Sequence, residues 1–363
     1  MTQNPGRCAF KSTSSGKNQQ STVYSSGGEC SFRCTVPTTA QTGWDAQHDN
    51  LGFTIDEFFP QIVKRVKTMK ISHLVSRLAL VAAVCIGGTA TAEDRGENRG
   101  EALILGDSVA FIYIASVGFE YFYTNPENFV GFPDRLGLLF DLNVANASCP
   151  GETTGSFLSA TAPDNGCRSY RSLFPLHADY KSTQLQFATT YLRSHRGVRL
   201  VTLTLGANDG FLLEEACGAN PANSTPALVT ACIESGVPAL LATIEGNTQK
   251  ILADLRATGY RGAIVVTNYY SLDYSDPAGT ALTADLNAAI AAPTAAFGAV
   301  VADVFTAFRL AASKPAFGGK TCNAGLLNPD VVNQFVCNIH PAQTGHRLIA
   351  DTVAHAFRAE DRY

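Results

Sequence analysis

The residues best suited to covalent chemistry are a serine, Ser108, which ends a Gly-Asp-Ser motif, and a histidine, His340, which precedes a proline near the end of the chain. A serine hydroxyl is a poor nucleophile at neutral pH and needs a base, most often an imidazole, to take its proton. A Gly-Ala-Asn-Asp motif that contains Asn208 lies between them. Each motif alone is common, but a serine, a candidate base and a side-chain amide together are the groups that nucleophilic catalysis through a serine needs.

The segments around these motifs alternate between strand-like and helix-like patterns. Compact apolar runs predict buried strands at Ala102–Leu105, Asn143–Ala147, Arg199–Leu205, Ala263–Asn268 and Val300–Val304. Apolar residues spaced by about 3.6 positions predict helices at Asp134–Phe140, Gln184–Ser194, Ala239–Thr258, Ala281–Ala296 and Gly345–Arg358. This alternation predicts an α/β fold, a single three-layer α/β/α domain over residues 93–363 with a five-stranded, mainly parallel sheet.

The predicted strands place the reactive residues at one edge of the sheet. Ser108 follows the first strand, Gly151 follows the second, Asn208 follows the third, and His340 is predicted in the loop before the last helix. In open α/β sheets, reactive groups gather beyond the carboxyl ends of the strands. We therefore expect these four residues to converge.

These blocks resemble the GDSL/SGNH hydrolase family, and within it the secreted, disulfide-containing esterase and lipase branch. The resemblance covers about residues 101–358. It implies an SGNH/flavodoxin-like fold, with Ser108 as the nucleophile and His340 as the general base. It also implies an oxyanion hole formed by the backbone N–H groups of Ser108 and Gly151 and by the side-chain amide of Asn208.

The sequence departs from the family pattern at Cys337, because the family commonly has an aspartate three residues before the catalytic histidine. A disulfide-bonded cysteine cannot orient an imidazole as a carboxylate does. We therefore expect a Ser–His dyad, with the Nδ1–H group of His340 held by a backbone carbonyl or by Asn338.

Six of the ten cysteines follow residue 93, where an even set behind a secretion signal is typical of a disulfide framework. Six cysteines allow 15 pairings, and the sequence does not choose among them. Short sequential closures are the simplest choice, since each would staple one loop: Cys149–Cys167, Cys217–Cys232 and Cys322–Cys337. No grouping of cysteine and histidine has zinc spacing, so neither a metal nor another cofactor is expected.

The composition limits the class of partner. The net charge is −4 and the lysines and arginines are not clustered, so nucleic acid is excluded as a partner. We expect a monomer that acts on a small-molecule, lipid or glycan ester, with no stable membrane span after signal cleavage. A carbohydrate (acetyl) esterase on the same fold and a catalytically inactive binding protein are the alternatives, and the sequence does not specify the acyl chain length.

Two segments are candidates for the walls of the substrate site. The segment 216–237, which contains two cysteines, is predicted to be a stapled loop at its rim. An aromatic cluster after the nucleophile either lines an acyl pocket or packs against the first helix: Tyr113, Phe119, Tyr121, Phe122 and Tyr123.

The beginning of the chain contains a second candidate start. Residues 69–92 begin with Met69 and combine a positive flank, a nine-residue apolar stretch from Leu78 to Ile86, and small residues before Glu93. This pattern is typical of a secretory signal peptide and predicts a secreted or periplasmic protein. Residues 1–68, rich in Ser, Thr, Gly, Gln and Asn, are either a disordered extension or sequence upstream of a true start at Met69.

We predict that translation starts at Met69 and that the exported protein begins at Glu93. Mass spectrometry of the native protein tests this, because cleavage after Ala92 gives a defined amino-terminal peptide. Recovery of any peptide from residues 1–60 would contradict a start at Met69.

Overall fold

The structure, a computed structural model, describes residues 99–114, 120–220, 222–330 and 336–360. The predicted signal peptide, 69–92, and the segment 1–68 lie outside the described residues. The domain boundary at residue 93 stays a prediction.

A sheet of five parallel strands forms the centre of the described part. Its order is β2-β1-β3-β4-β5, that of flavodoxin-like proteins, with β1 at Gly100–Gly106, β2 at Leu142–Asn146, β3 at Val198–Thr204, β4 at Ala263–Thr267 and β5 at Ala299–Ala302. In β1, Leu103 pairs with Ala145 of β2 and Val201 of β3. The predicted strands match within two residues at each end, and the predicted fold class is confirmed.

Helices cover both faces of this sheet: α1 (Ser108–Phe111), α2 (Phe132–Phe140), α3 (Thr154–Leu158), α4 (Cys167–Leu173), α5 (Gln184–Ser194), α6 (Ala207–Ala219), α7 (Pro226–Ala257), α8 (Pro277–Ala291), α9 (Val304–Ala312) and α10 (Gln343–Glu360). In one layer α10 contacts α2, α9, β4 and β5, and in the other α5 contacts β1 and α7. The strands between them are buried on both sides, which explains their continuous apolar sequences.

Local sequence accounts for the helices that support the site. α5 begins at Gln184 because the Thr183 side chain accepts a hydrogen bond from the backbone N–H of Gln186, capping the helix. α10 buries Ile349, Val353 and Phe357 on one face. Burying an apolar side chain of this size contributes about 1.5–3 kcal/mol, so this face docks α10 onto the sheet.

The prediction for residues 216–237 was wrong in its secondary structure. Most of this segment is helical, with α6 ending at Ala219 and α7 beginning at Pro226. The helix predicted at Ala239–Thr258 corresponds to the carboxyl-terminal part of α7, which also contains Pro238, a residue that removes one backbone hydrogen bond. The helix nevertheless continues through Pro238, because α7 lies along α6 and the disulfide between Cys217 and Cys232 ties the two helices together.

The structure forms the three predicted disulfides: Cys149–Cys167, Cys217–Cys232 and Cys322–Cys337. The third bond ends on a strand that was not predicted. β6 (Leu327–Pro329) and β7 (Cys337–Pro341) form an antiparallel pair, so His340 lies on a strand and not in a loop. The pairing is short and its residues do not alternate clearly in polarity, which is why the sequence pattern gave no signal for it.

Candidate active site

Ser108, Asn208 and His340 line a single cavity of about 380 Å³ beyond the carboxyl ends of the strands. Gly151 is not among the described residues that line it. Most of the remaining wall is apolar and comes from α6, α7 and α8: Phe211, Leu213, Ile233, Val237, Leu240, Leu241, Leu282 and Leu286. Three of the four predicted residues therefore meet at one apolar cavity.

The turn that presents Ser108 depends on Gly106. This residue has a φ of +143°, and a Cβ atom there would collide with the carbonyl oxygen of Thr204. Glycine is therefore required, and it lets β1 end beside β3 and turn directly into α1. Ser108, as the first residue of α1, is placed at the cavity by this turn.

Asp107 holds the turn by hydrogen bonds. One carboxylate oxygen accepts from the backbone N–H of Val109 at 2.9 Å, and the other accepts from the Tyr269 hydroxyl. The side chain of Asn287 in turn binds both the backbone N–H and the carbonyl of Tyr269, each at 2.7 Å. Burial raises the pKa of Asp107 to about 6, against the opposing effect of its hydrogen bonds.

Gln184 binds the same turn from α5, and sequence reasoning missed this residue. Its side-chain oxygen accepts from the Gly106 N–H at 2.6 Å, and its side-chain nitrogen donates to the Gly106 carbonyl at 3.0 Å. The same nitrogen donates to the carboxylate of Glu152, also at 3.0 Å. Gln184 and Glu152 are 1% and 3% exposed. The only sequence signal was a polar residue at the start of a predicted helix.

Asn208 is buried with a defined side-chain orientation. Its Oδ1 accepts from the side chain of Asn165 at 2.8 Å, and its Nδ2 donates to the backbone carbonyl of Glu152 at 3.0 Å. An amide nitrogen has two hydrogens, so the second is left for another acceptor. Asp209 steadies the next position by accepting from the backbone N–H and hydroxyl of Thr154 at 2.9 and 2.6 Å.

Gly151 lies next to Glu152 and has a φ of +84°. A Cβ atom there would collide with the carbonyl oxygen of Asn165, the residue that also binds Asn208. The backbone N–H of Asn165 donates to the Gly151 carbonyl at 2.8 Å. Gly151 is therefore connected to Asn208 by two short routes, through Asn165 and through Glu152.

His340 is buried, and burial lowers its pKa to about 4. The expected partners of its ring do not bind it. The Asn338 side chain accepts from the backbone N–H of His340 at 2.8 Å, closing a local turn, and the neighbouring carbonyl of Ile339 accepts from the Tyr270 hydroxyl. No described residue accepts a hydrogen bond from Nδ1 of His340. The prediction that Asn338 or a backbone carbonyl orients the imidazole was therefore wrong.

Aromatic packing holds the His340 ring instead. Tyr113 lies edge-on to it, with the ring centres 5.1 Å apart, and Tyr113 also packs against Tyr123, Phe129 and Tyr170. None of the described members of the predicted aromatic cluster lines the cavity. Tyr113, Phe122 and Tyr123 pack against the core, whereas Tyr121 is 70% exposed. Phe119 lies outside the described residues.

A family model described as the GDSL-like lipase/acylhydrolase family matches residues 104–348, a span that contains all four predicted site residues. The chain belongs to this family. The match confirms the resemblance inferred from the sequence motifs, and it supports an ester hydrolase. A search of curated proteins finds no match to this chain.

Several solved structures are similar to this member of the GDSL-like family. A phospholipase A1 from Streptomyces albidoflavus is 16% identical with a TM-score of 0.44, covering 71% of this chain and 99% of the other. An acetylxylan esterase from Geobacillus stearothermophilus is 12% identical with a TM-score of 0.43, covering 71% and 94%. LAE5, an α/β hydrolase enzyme from the metagenome of Lake Arreo, is 14% identical with a TM-score of 0.42, covering 72% and 96%.

Two features of the described residues concern metals and membranes. Cys149, Glu152 and Cys167 form a cluster of metal-ligand side chains, but the two sulfurs are bonded to each other and offer no thiolate. One helix in the described ranges, α7, is long and apolar enough to cross a membrane by length and composition. In this fold α7 lies against α6 and α8 and contributes apolar side chains to the cavity.

We predict that Glu152 makes the free energy of unfolding of this protein depend on pH. Burial raises the pKa of Glu152 from 4.5 to about 7, so the folded protein holds the proton more tightly than the unfolded chain. The resulting stabilisation is complete below about pH 4.5 and is lost as the pH rises through about 7. At 1.36 kcal/mol per pKa unit, it amounts to about 3 kcal/mol.

Denaturant unfolding of the wild type and of Glu152→Gln at a series of pH values measures this contribution. The free energy of unfolding of the wild type should fall relative to that of Glu152→Gln across this pH range. Glu245→Gln, which removes an exposed carboxylate on α7, is the matched control. Parallel pH profiles for the wild type and Glu152→Gln would show that Glu152 does not titrate as predicted.

Proposed function

We propose that the protein is a secreted serine esterase or lipase that hydrolyses carboxylic esters through an acyl-enzyme on Ser108, with His340 as the base. The observation that carries this proposal is the shared cavity: a serine, a histidine and a side-chain amide from three separate segments line one mostly apolar space. Three disulfides support the extracytoplasmic location, because such bonds persist in oxidising compartments.

In the proposed reaction, Oγ of Ser108 attacks the ester carbonyl carbon while His340 takes the hydroxyl proton. The carbonyl electrons move onto oxygen, and the oxyanion accepts hydrogen bonds from the N–H groups of Ser108 and Gly151 and from Nδ2 of Asn208. Collapse of this intermediate breaks the bond to the alcohol, which leaves with the proton from His340. Water then attacks the acyl-enzyme while His340 takes one of its protons. Collapse of this second intermediate breaks the bond between the acyl carbon and Oγ of Ser108, His340 returns the proton to Oγ, and the acid is released.

The walls of the cavity favour an apolar acyl group over an acetylated sugar. Burying an acyl chain against apolar side chains such as Phe211, Leu240 and Leu286 gains about 25 cal/mol per Å² of apolar surface. Sugar hydroxyl groups placed against these apolar side chains would lose hydrogen bonds to water. The wall also offers carboxylates, from Glu214, Asp273 and Asp276, but its apolar side chains outnumber them. We therefore propose an ester with an acyl chain longer than acetyl, and carbohydrate acetyl esters become the rival outcome of the test.

We predict that Ser108→Ala lowers kcat for ester hydrolysis by at least about 10⁴-fold, because no other group replaces the nucleophile. p-Nitrophenyl esters from acetyl to palmitoyl, together with acetylated xylan, measure the activity and its chain-length preference. A fluorophosphonate should label Ser108 in the wild type and fail to label the variant.

Ser313→Ala, at an exposed serine, is the control and should behave as the wild type. Preference for acetylated xylan would favour the carbohydrate esterase. Labelling of another serine, or hydrolysis of none of these esters by the wild type, would remove the proposed function.

We predict an unusually low acid limb in the pH dependence of kcat/KM. The base must be neutral to accept a proton, and burial lowers the pKa of His340 to about 4. Activity should therefore rise with pH through this value and change little between pH 6 and neutrality, where an unperturbed histidine with a pKa of about 6.5 would still be titrating. Recovery of activity after return to neutral pH separates this limb from unfolding, and a half-point near 6.5 would contradict the assignment.

A further inference from the structure

We propose that Glu152 and Gln184 are positioning residues that lock the nucleophile turn to the oxyanion donors, a role that rests on the proposed function of the site. We call these two side chains the buried clamp. The Gln184 side chain binds the backbone of Gly106 and also the carboxylate of Glu152, so it joins the nucleophile turn to the loop that carries Gly151. They do not line the substrate cavity. The clamp therefore acts through other residues and does not touch the substrate.

The first half of the clamp fixes the backbone before the nucleophile. Gln184 makes hydrogen bonds to both the N–H and the carbonyl of Gly106, and such a pair fixes the peptide in two directions at once. The backbone N–H of Cys149 also donates to the Gly106 carbonyl, at 3.0 Å. The residue that sets the position of Ser108 is thus tied to the loop after β2 as well as to α5.

The second half of the clamp connects this turn to the other two donors. Glu152 accepts from Gln184 through one carboxylate oxygen and from the Ser156 hydroxyl through the other. The backbone of the same residue adjoins Gly151, and its carbonyl accepts from Nδ2 of Asn208. One residue therefore reaches all three expected oxyanion donors: Gly151 by a peptide bond, Asn208 by its carbonyl, and Ser108 through Gln184 and Gly106.

A disulfide adds to the hydrogen bonds that fix the position of Glu152. The disulfide between Cys149 and Cys167 spans its loop, with Sγ of Cys167 3.5 Å from the carboxylate. Both clamp residues line a separate cavity of about 450 Å³, which is also lined by Arg171. The clamp thus lies between the disulfide and the nucleophile turn, facing away from the substrate.

A hydrogen-bonded clamp of this kind matters because oxyanion stabilisation depends on geometry. Loss of one donor lowers kcat by about 10²–10³-fold, and a displacement of about 1 Å far from the chemistry can cost about 10²-fold. Without Gln184, the Gly106 N–H is left buried and unpaired, and the turn can shift relative to Gly151 and Asn208. We therefore expect a weaker stabilisation of the transition state, which lowers kcat. Binding of the substrate in the apolar cavity, and with it KM, should change little.

The test is steady-state kinetics of Gln184→Leu, which keeps the size of the side chain and removes both hydrogen-bonding groups. We expect kcat to fall by about 10–100-fold with KM changed by less than about twofold, and phosphonate inactivation to slow in parallel with kcat. Glu152→Gln keeps an acceptor for Gln184 and should lose less kcat than Glu152→Leu, which keeps none.

Two controls separate positioning from general destabilisation. Leu192→Ala removes a buried side chain from the same helix without touching the clamp, and Gln186→Leu makes the same change as the test variant at an exposed position. Both should keep the kcat of the wild type at temperatures where they are folded. A loss of kcat in Leu192→Ala equal to that in Gln184→Leu would mean that stability alone explains the effect.

The remaining outcomes are also decisive. If Ser108→Ala is inactive but Gln184→Leu keeps wild-type kcat, the clamp is refuted and the proposed function stands. If Ser108→Ala stays active, the proposed function fails, and the clamp fails with it. If Gln184→Leu does not fold, the comparison of Glu152→Leu with Glu152→Gln decides, and equal kcat values for those two variants would overturn the proposal.

Discussion

The close approach of Gly106 to Thr204 is the constraint on which the site depends. β1 and β3 are neighbours in the sheet, and the chain must leave β1 beside the carbonyl of Thr204. A side chain at Gly106 would force the strands apart or redirect the turn. Because this space is closed, the chain leaves the buried carboxyl end of β1 by the turn at Gly106, and this turn sets the position of Ser108.

The buried polar groups around this turn are hydrogen-bonded to neighbouring side chains and to the backbone. Asp107 and Glu152 have raised pKa values because both are buried, and each is stabilised by hydrogen bonds from neutral groups. Burial lowers the pKa of His340 to about 4, and Tyr113 packs edge-on against its ring. Among the described residues no carboxylate binds Nδ1 of His340, and position 337, where the family commonly has an aspartate, is a disulfide-bonded cysteine.

Each of the three disulfides holds a different segment around the cavity. Cys149–Cys167 spans the loop that carries Gly151, Cys322–Cys337 anchors the strand that carries His340, and Cys217–Cys232 joins the two helices that supply much of the apolar wall. Each bond thus stabilises a segment that carries a predicted site residue or forms part of the cavity wall. The segments around the cavity are therefore held by covalent bonds as well as by burial.

Local patterns were enough to predict the sheet, the order of its reactive residues and the family. Continuous apolar runs are characteristic of strands buried on both faces. Ser108, Asn208 and His340 occur in short motifs whose order along the chain can be read directly from the sequence. The helix at Gln184–Ser194 was predicted at its observed bounds because its periodicity and capping residue are both local.

Tertiary structure alone decided the partners of these residues. Gln184 meets Gly106 across 78 positions and Tyr269 meets Asp107 across 162, so no local pattern encodes either hydrogen bond. The continuation of α7 through Pro238 depended on the neighbouring helix and a disulfide. The ring of His340 was placed by Tyr113 rather than by Asn338, because a short side chain first satisfies its own backbone, whereas a buried ring is positioned by whatever packs against it.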